Sequence, residues 1–256
     1  MNWKTFYALL QRDGHIARRN LVPSLMQTML QPLLLTFVFG RILTTGGMMQ
    51  MGFKNVLLPG IMAISMVLSG VQAVAMPLIA EFQFTKEIED RLLAPIDNYW
   101  LAVEKVVAGM VQAIISGLVV LPAAWLTMGS GVNISFHHPV EFAVIAVLVA
   151  AIAGTGGLLL GCSIGQTHIG LMFSMVIAPM MMFGCAYYPW SFLKAYPGLQ
   201  YVVLINPLVY ASEGLRGSLT TNVEHMPLLV VIAALAVFNV AFMAMGLKKF
   251  QKKAVS

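Results

Sequence analysis

The sequence predicts an all-α membrane protein with six transmembrane helices, and three observations predict it. Apolar residues make up 59% of its 256 residues and charged residues only 10%, with a mean hydropathy of +0.84. A water-soluble chain carries roughly 25% charged residues; this much apolar surface exceeds what one aqueous core can hide, so lipid is the solvent. Second, six apolar runs approach or exceed the ~20 helical residues that a hydrocarbon core requires. They are 21–43, 56–80, 106–128, 142–164, 169–188 and 226–247, all within a single transmembrane domain, 1–256. Third, the basic residues behind the net charge of +5 sit beside these runs and form no patch, a placement that suits membrane orientation and excludes nucleic-acid binding.

Residues 1–20 precede the first run. Trp3, Phe6, Tyr7 and Leu10 recur there at helical spacing, with Lys4, Gln11 and Arg12 on other faces. This is the pattern of a short helix lying in the membrane interface. The stretch lacks a continuous apolar centre and a small-residue cleavage site, so it is not expected to be a cleaved signal peptide. The first span is weakened by Gln27, Gln31 and Pro32, and the fifth is the shortest. Between the second and third spans the chain reads KEIEDRLLAPID at 86–97, six charged side chains in twelve positions. The third span carries Gly109, Ala113 and Gly117, and the fourth ends on Gly157, Gly161 and Gly165. Small residues every fourth position let helix backbones approach closely in lipid, here most simply within one subunit. Between the fifth and sixth spans, 189–225, the apolar part at 199–212 is too short to cross and is interrupted by Asn206 and Pro207. It reads as two short re-entrant helices with the break near Pro207.

An even number of spans puts both termini on one side. Eleven of the 15 Lys and Arg residues fall on that side: Lys4, Arg12, Arg18 and Arg19, then Lys86, Arg91 and Lys105, then Lys248, Lys249, Lys252 and Lys253. The positive-inside rule makes that side the cytoplasm, and 189–225 then belongs to the outer face.

Several chemistries are excluded. There is no Walker A loop, no H-E-x-x-H and no G-x-S-x-G, so no nucleotide-hydrolysing or other catalytic site and no cofactor is expected on this chain. Cys162 and Cys185 lie in different runs near opposite faces and read as small packing residues. His137 and His138 end a loop, with no partner at ligand spacing. Glu104 and Lys105 sit at a span edge and the span centres hold no charge, against a proton- or ion-coupled carrier. Any driving force for transport must come from elsewhere.

Two local signatures, in register with this topology, carry a resemblance. EDRLLAPI at 89–96 and NPLVYASEGLR at 206–216 resemble motifs of the permease subunits of type-2 ABC exporters, and the likeness of layout covers nearly the whole chain. The resemblance implies that 84–95 is a coupling helix docking into a groove on a separate ATPase subunit. Glu87, Glu89, Asp90 and Arg91 would make its polar contacts, and Phe84, Ile88 and Leu92 an apolar stripe at i, i+4 spacing ended by Pro95. The plain alternative for an isolated charge run is a solvated loop. The family further implies a homodimer of permeases with two ATPase chains, on which ATP and Mg would bind, in the cell (inner) membrane. It implies a substrate path along the second and fifth spans, which here hold Met62, Met66, Met180, Met181, Met182 and Phe183. Methionine suits a promiscuous apolar surface, and equally fills irregular packing. The second signature implies an outer gate at Asn206, Pro207 and Tyr210, with Glu213 and Arg216 three apart and able to pair. The expected cargo is hydrophobic or amphipathic: a drug, a lipid or a lipid-linked glycan. The alternatives are polysaccharide export and a carrier or channel without an ATPase.

Overall fold

The computed structural model describes residues 30, 34, 36–42, 53–82, 98–128, 138–220 and 223–255. The expected interface helix (1–20), most of the first span and the whole coupling segment, from Phe84 through Glu87, Ile88, Glu89, Asp90, Arg91 and Leu92 to Pro95, lie outside them. All regular structure among the described residues is helical.

Four helices are long and apolar enough to cross a membrane: α1 (Phe53–Ala80), α2 (Asn98–Met128), α3 (Pro139–Ser163) and, at the end of the chain, α7 (Leu228–Val255). Between α3 and α7 come α4 (Ile169–Met182), a 3-10 turn at Trp190–Ala195, α5 (Pro197–Val202) and α6 (Pro207–Leu219). A π-helical turn at Val38–Ile42 packs against α1 and α2.

Helix α3 packs on α1, α2, α6 and α7, and α1 is the most enclosed span, 78% buried over its most apolar window against 11% for α7. Small residues bring these helices together. A Cβ added at Gly109 would lie 2.3 Å from Val74 Cγ2, and one at Gly157 would lie 2.8 Å from Val74 Cβ. The third- and fourth-span ridges therefore pack against α1 within the subunit, except for Gly165, which falls beyond the end of α3. Both cysteines are free and buried.

Two helices outrun their expected limits for a reason that charge alone hides. Helix α2 begins at Asn98 and not at 106, because Lys105 is buried against Glu81, with Nζ 2.8 Å from Oε1. Helix α7 continues past 247, because Phe250 is fully buried and stacks edge-on to Phe82 at 5.7 Å. The fifth expected span is shorter than the run 169–188: α4 stops at Met182 and the chain turns through 183–188. Its helical part is about 21 Å long at ~1.5 Å per residue, short of a ~30 Å hydrocarbon core.

Candidate functional site

The turn that ends α4 leaves backbone carbonyls without helical partners, in surroundings where each must find a donor inside the protein. Helix α6 supplies them. Ser212 Oγ donates to the Gly184 carbonyl at 2.7 Å, and Arg216 Nη2 donates to the Cys185 carbonyl at 2.9 Å. Cys185 adopts φ 51°, a left-handed conformation that non-glycine residues avoid; the surrounding contacts hold it there. The same Nη2 reaches the Val56 carbonyl at 3.4 Å, near the start of α1.

Glu213 completes the arrangement. Its Oε1 accepts from Arg216 Nη1 and from the Trp190 backbone N–H at 2.9 Å. Its Oε2 accepts from the Met226 N–H at 3.0 Å. The pair is sealed from solvent, with side-chain exposures of 0% and 1%. One carboxylate and one guanidinium therefore pin α6 to α1, to the turn after α4, to the 3-10 turn and to the entry of α7. Charge-assisted hydrogen bonds of this kind offset the cost of burying both ions.

The break before α6 is built from Asn206 and Pro207. Asn206 is extended, and its Oδ1 accepts from the Leu208 N–H at 3.0 Å, capping the helix. Its Nδ2 donates to the Met180 carbonyl at 2.7 Å, tying the break to α4. Pro207 sits in the first turn, where its missing N–H costs nothing. Tyr210 is buried and packs its ring on Phe238 of α7 at 6.0 Å between centroids. All five residues of the NPLVYASEGLR signature singled out above thus converge on one end of the bundle.

The methionines divide. Met62 and Met66 are fully buried between α1 and α2, where a Cβ at Gly117 would lie 2.6 Å from Met66 Cγ. Met181 is also in the core. Met180 and Phe183 line a cavity of about 550 Å³ between α1, α3, α4 and the 199–207 segment, while Met182 is largely exposed.

The opposite end of the bundle holds contacts that sequence reasoning did not single out. Glu81, Lys105 and Glu104 are all buried there. Next to Glu81, Phe82 lies against Phe250, with Lys253 Nζ 4.8 Å from its ring centroid. Nothing in the spacing of these residues marks them, because their partners lie on different helices. Likewise Trp190, Ser212 and Met226 join the Glu213–Arg216 site through backbone groups or single hydroxyls, which leave no pattern in the chain.

The described residues form a multi-pass helical bundle in which buried ion pairs tie helices together at either end. The chain belongs to the ABC-2 type transporter family, whose model matches residues 4–220. It is accordingly a transmembrane, permease-type subunit of an ABC transporter, a kind of subunit that works with an ABC ATPase. It is 25% identical over 244 residues to the inner membrane transport permease YadH of Escherichia coli strain K12, covering 94% of this chain and 92% of that one. YadH of Escherichia coli O157:H7 and of Shigella flexneri match to the same extent.

Proposed function

We propose that this chain is the membrane half of an ATP-driven exporter, moving a hydrophobic or amphipathic substrate outward across the inner membrane. In this reading two copies pair with two ATPase subunits, ATP and Mg bind only on those subunits, and both termini are cytoplasmic. Residues 84–95 dock on the ATPase, and the Asn206–Arg216 element is the outer gate.

The observation that carries the reading is that α1 is held at both ends. At one end Glu81 and Phe82, immediately before the docking segment, are clamped to α2 through Lys105 and to α7 through Phe250. At the other, the Val56 carbonyl is held by Arg216. The separation between Val56 and Glu81 is about 38 Å at ~1.5 Å per residue, more than a hydrocarbon core. A push on 84–95 when the ATPases close on ATP would tilt α1 and strain the Arg216 contact. That converts differential ATP affinity into movement of α6. The flexible, apolar side chains of Met180, Met182 and Phe183 border the turn that α6 grips, which suits a greasy cargo.

The test is affinity purification from mild-detergent membranes, with mass spectrometry for a co-purifying ATPase, run beside Glu87→Lys/Asp90→Lys. The expected result is an ATPase retained by the wild type and lost by the charge reversal. Retention by both, or absence from both, would remove the docking role of 84–95.

A further inference from the structure

The cavity bordered by Met180 and Phe183 holds a second piece of information. Among the described residues its walls come from α1, α3, α4 with Phe183 just after it, Phe242 of α7 and residues 199–207, and Asn206 is the one polar side chain among these. Both polar atoms of that amide are engaged, Oδ1 by the Leu208 N–H and Nδ2 by the Met180 carbonyl. Against these walls an occupant meets hydrocarbon almost throughout; a headgroup, a sugar or a charged drug would be desolvated there with little to bind. The volume of about 550 Å³ falls within the ~300–1,000 Å³ of ligand pockets. Along α3 the wall runs from Ile152 to Leu160, about 12 Å at ~1.5 Å per residue. One leaflet of a ~30 Å hydrocarbon core is about 15 Å deep, so the dimensions fit a single acyl chain.

Gly156 supplies the second, independent observation. Its neighbours on α3 are glycine because helices touch there: a Cβ at Gly154 would lie 2.6 Å from the Val106 carbonyl oxygen, and one at Gly157 2.8 Å from Val74 Cβ. Gly156 has no such constraint. A Cβ there would meet Phe242 at 3.7 Å and Val71 at 3.9 Å, ordinary contact distances to two side chains that, like Gly156, line the cavity. Glycine within a helix is less stable than alanine, so packing alone does not account for it. What glycine preserves at this position is the cavity itself. The facing wall, α4, contains a π-helical turn at Phe173–Ile177 followed by Pro179, features that let a helix bow away from its neighbours.

We propose that this cavity is a binding site for one acyl chain of a bilayer phospholipid, inserted between α3, α4 and the 199–207 segment. The site depends on the chain being a membrane protein and not on the direction of transport or on an ATPase.

The test uses the purified full-length chain in vesicles of phosphatidylethanolamine and phosphatidylglycerol, doped with a phosphatidylcholine bearing a mid-chain diazirine. After illumination, labelled peptides are mapped by mass spectrometry, with the exposed face of α7 around Leu229, Val237 and Val240 as the measure of ordinary lipid contact. Labelling at 176–183 and 199–207 is expected to exceed that of α7. Gly156→Leu should lower it about tenfold, the change in occupancy that losing about two buried methylenes gives, with α7 labelling unchanged. Gly156→Ala should fall in between. Val176→Phe, from the facing wall, should reproduce the loss should Gly156→Leu fail to fold. Labelling no higher than on α7, or insensitive to the variants, would overturn the site. Neither result bears on ATPase partnership, which the co-purification above decides separately.

Discussion

The two ends of this bundle each bury an ion pair, and they bury it differently. At the α6 end, Glu213 takes hydrogen bonds from Arg216 and from two backbone N–H groups, while Arg216 donates onward to the carbonyls of Cys185 and Val56. The pair gathers main-chain groups from four segments around α6. At the opposite end, Lys105 meets Glu81 side chain to side chain, joining one helix to another. The first arrangement fixes irregular backbone, which in lipid has no other source of donors. The second fastens two regular helices that already satisfy their own backbones. Removing either pair should cost stability, but only the first should also unfold a turn.

The largest effect is expected from Glu213→Ala. It leaves Arg216 buried without its counter-ion, a loss of about 3–5 kcal/mol for a pair of this kind. It also orphans the N–H groups of Trp190 and Met226. Thermal unfolding in mild detergent reads the loss. Glu213→Leu/Arg216→Met sharpens the comparison, since removing both charges together is often neutral for an ion pair alone. Stability still missing would measure the lost partners of the Trp190 and Met226 N–H groups and the Cys185 carbonyl. Stability regained with transport still absent from cells of equal membrane expression would support the proposed gate role of the pair. Regained transport would make it only a brace.

Lys105→Met should come next, near the lower limit of the same range at about 3 kcal/mol. Its partner Glu81 keeps 10% of its side chain exposed, so the carboxylate that loses Lys105 is partly hydrated. The two ends lie about 38 Å apart along α1 at ~1.5 Å per residue, so in the resting fold Lys105→Met and Glu213→Ala should add within about 0.5 kcal/mol. A clear departure from additivity would show that α1 couples the two ends even without a push on 84–95. Gly60→Ala ranks third. Its Cβ would fall 1.7 Å from the Ala186 carbonyl oxygen, forcing α1 away from the turn after α4. Overpacking of this order costs about 1–3 kcal/mol. Because it loosens the contact that Arg216 spans, it should weaken Glu213→Ala less than it weakens the wild type.

What was legible in the sequence follows the same division. Apolar runs locate α1, α2, α3 and α7, because a helix in lipid has to be apolar along its length. The helix break at Asn206–Pro207 was legible because cap and proline are local signals, and the Glu213–Arg216 pair because three residues bring side chains to one helix face. The ends of α2 and α7 were not. Charge is read as leaving the membrane, yet Lys105 stays within a helix because Glu81, 24 positions earlier, neutralises it. The premature end of α4 was equally hidden, since the residues that stabilise it, Ser212 and Arg216, lie some thirty positions downstream. Nor does a row of methionines distinguish packing from lining: Met62 and Met66 are core, while Met180 borders a cavity.

The smallest effect should come from a third ion pair, on the same segment as the first. Lys194 Nζ lies 3.3 Å from Glu224 Oε2, but the side chains are 65% and 72% exposed. Hydrogen bonding from Ser191, and then Lys194, holds the Glu224 carboxyl below its usual range. A carboxylate depressed on folding adds stability above its unfolded pKa, and that contribution disappears as pH falls through the lower, folded value. The loss would therefore lie on the acid side of the ordinary carboxylate range. Water and salt screen so open a pair, and its side chains give up entropy to hold it. Lys194→Ala should leave the unfolding temperature at pH 7 unchanged within error. A shift approaching that of Glu213→Ala would mean that the outer surface of this segment, and not its buried ion pair, holds it to the bundle.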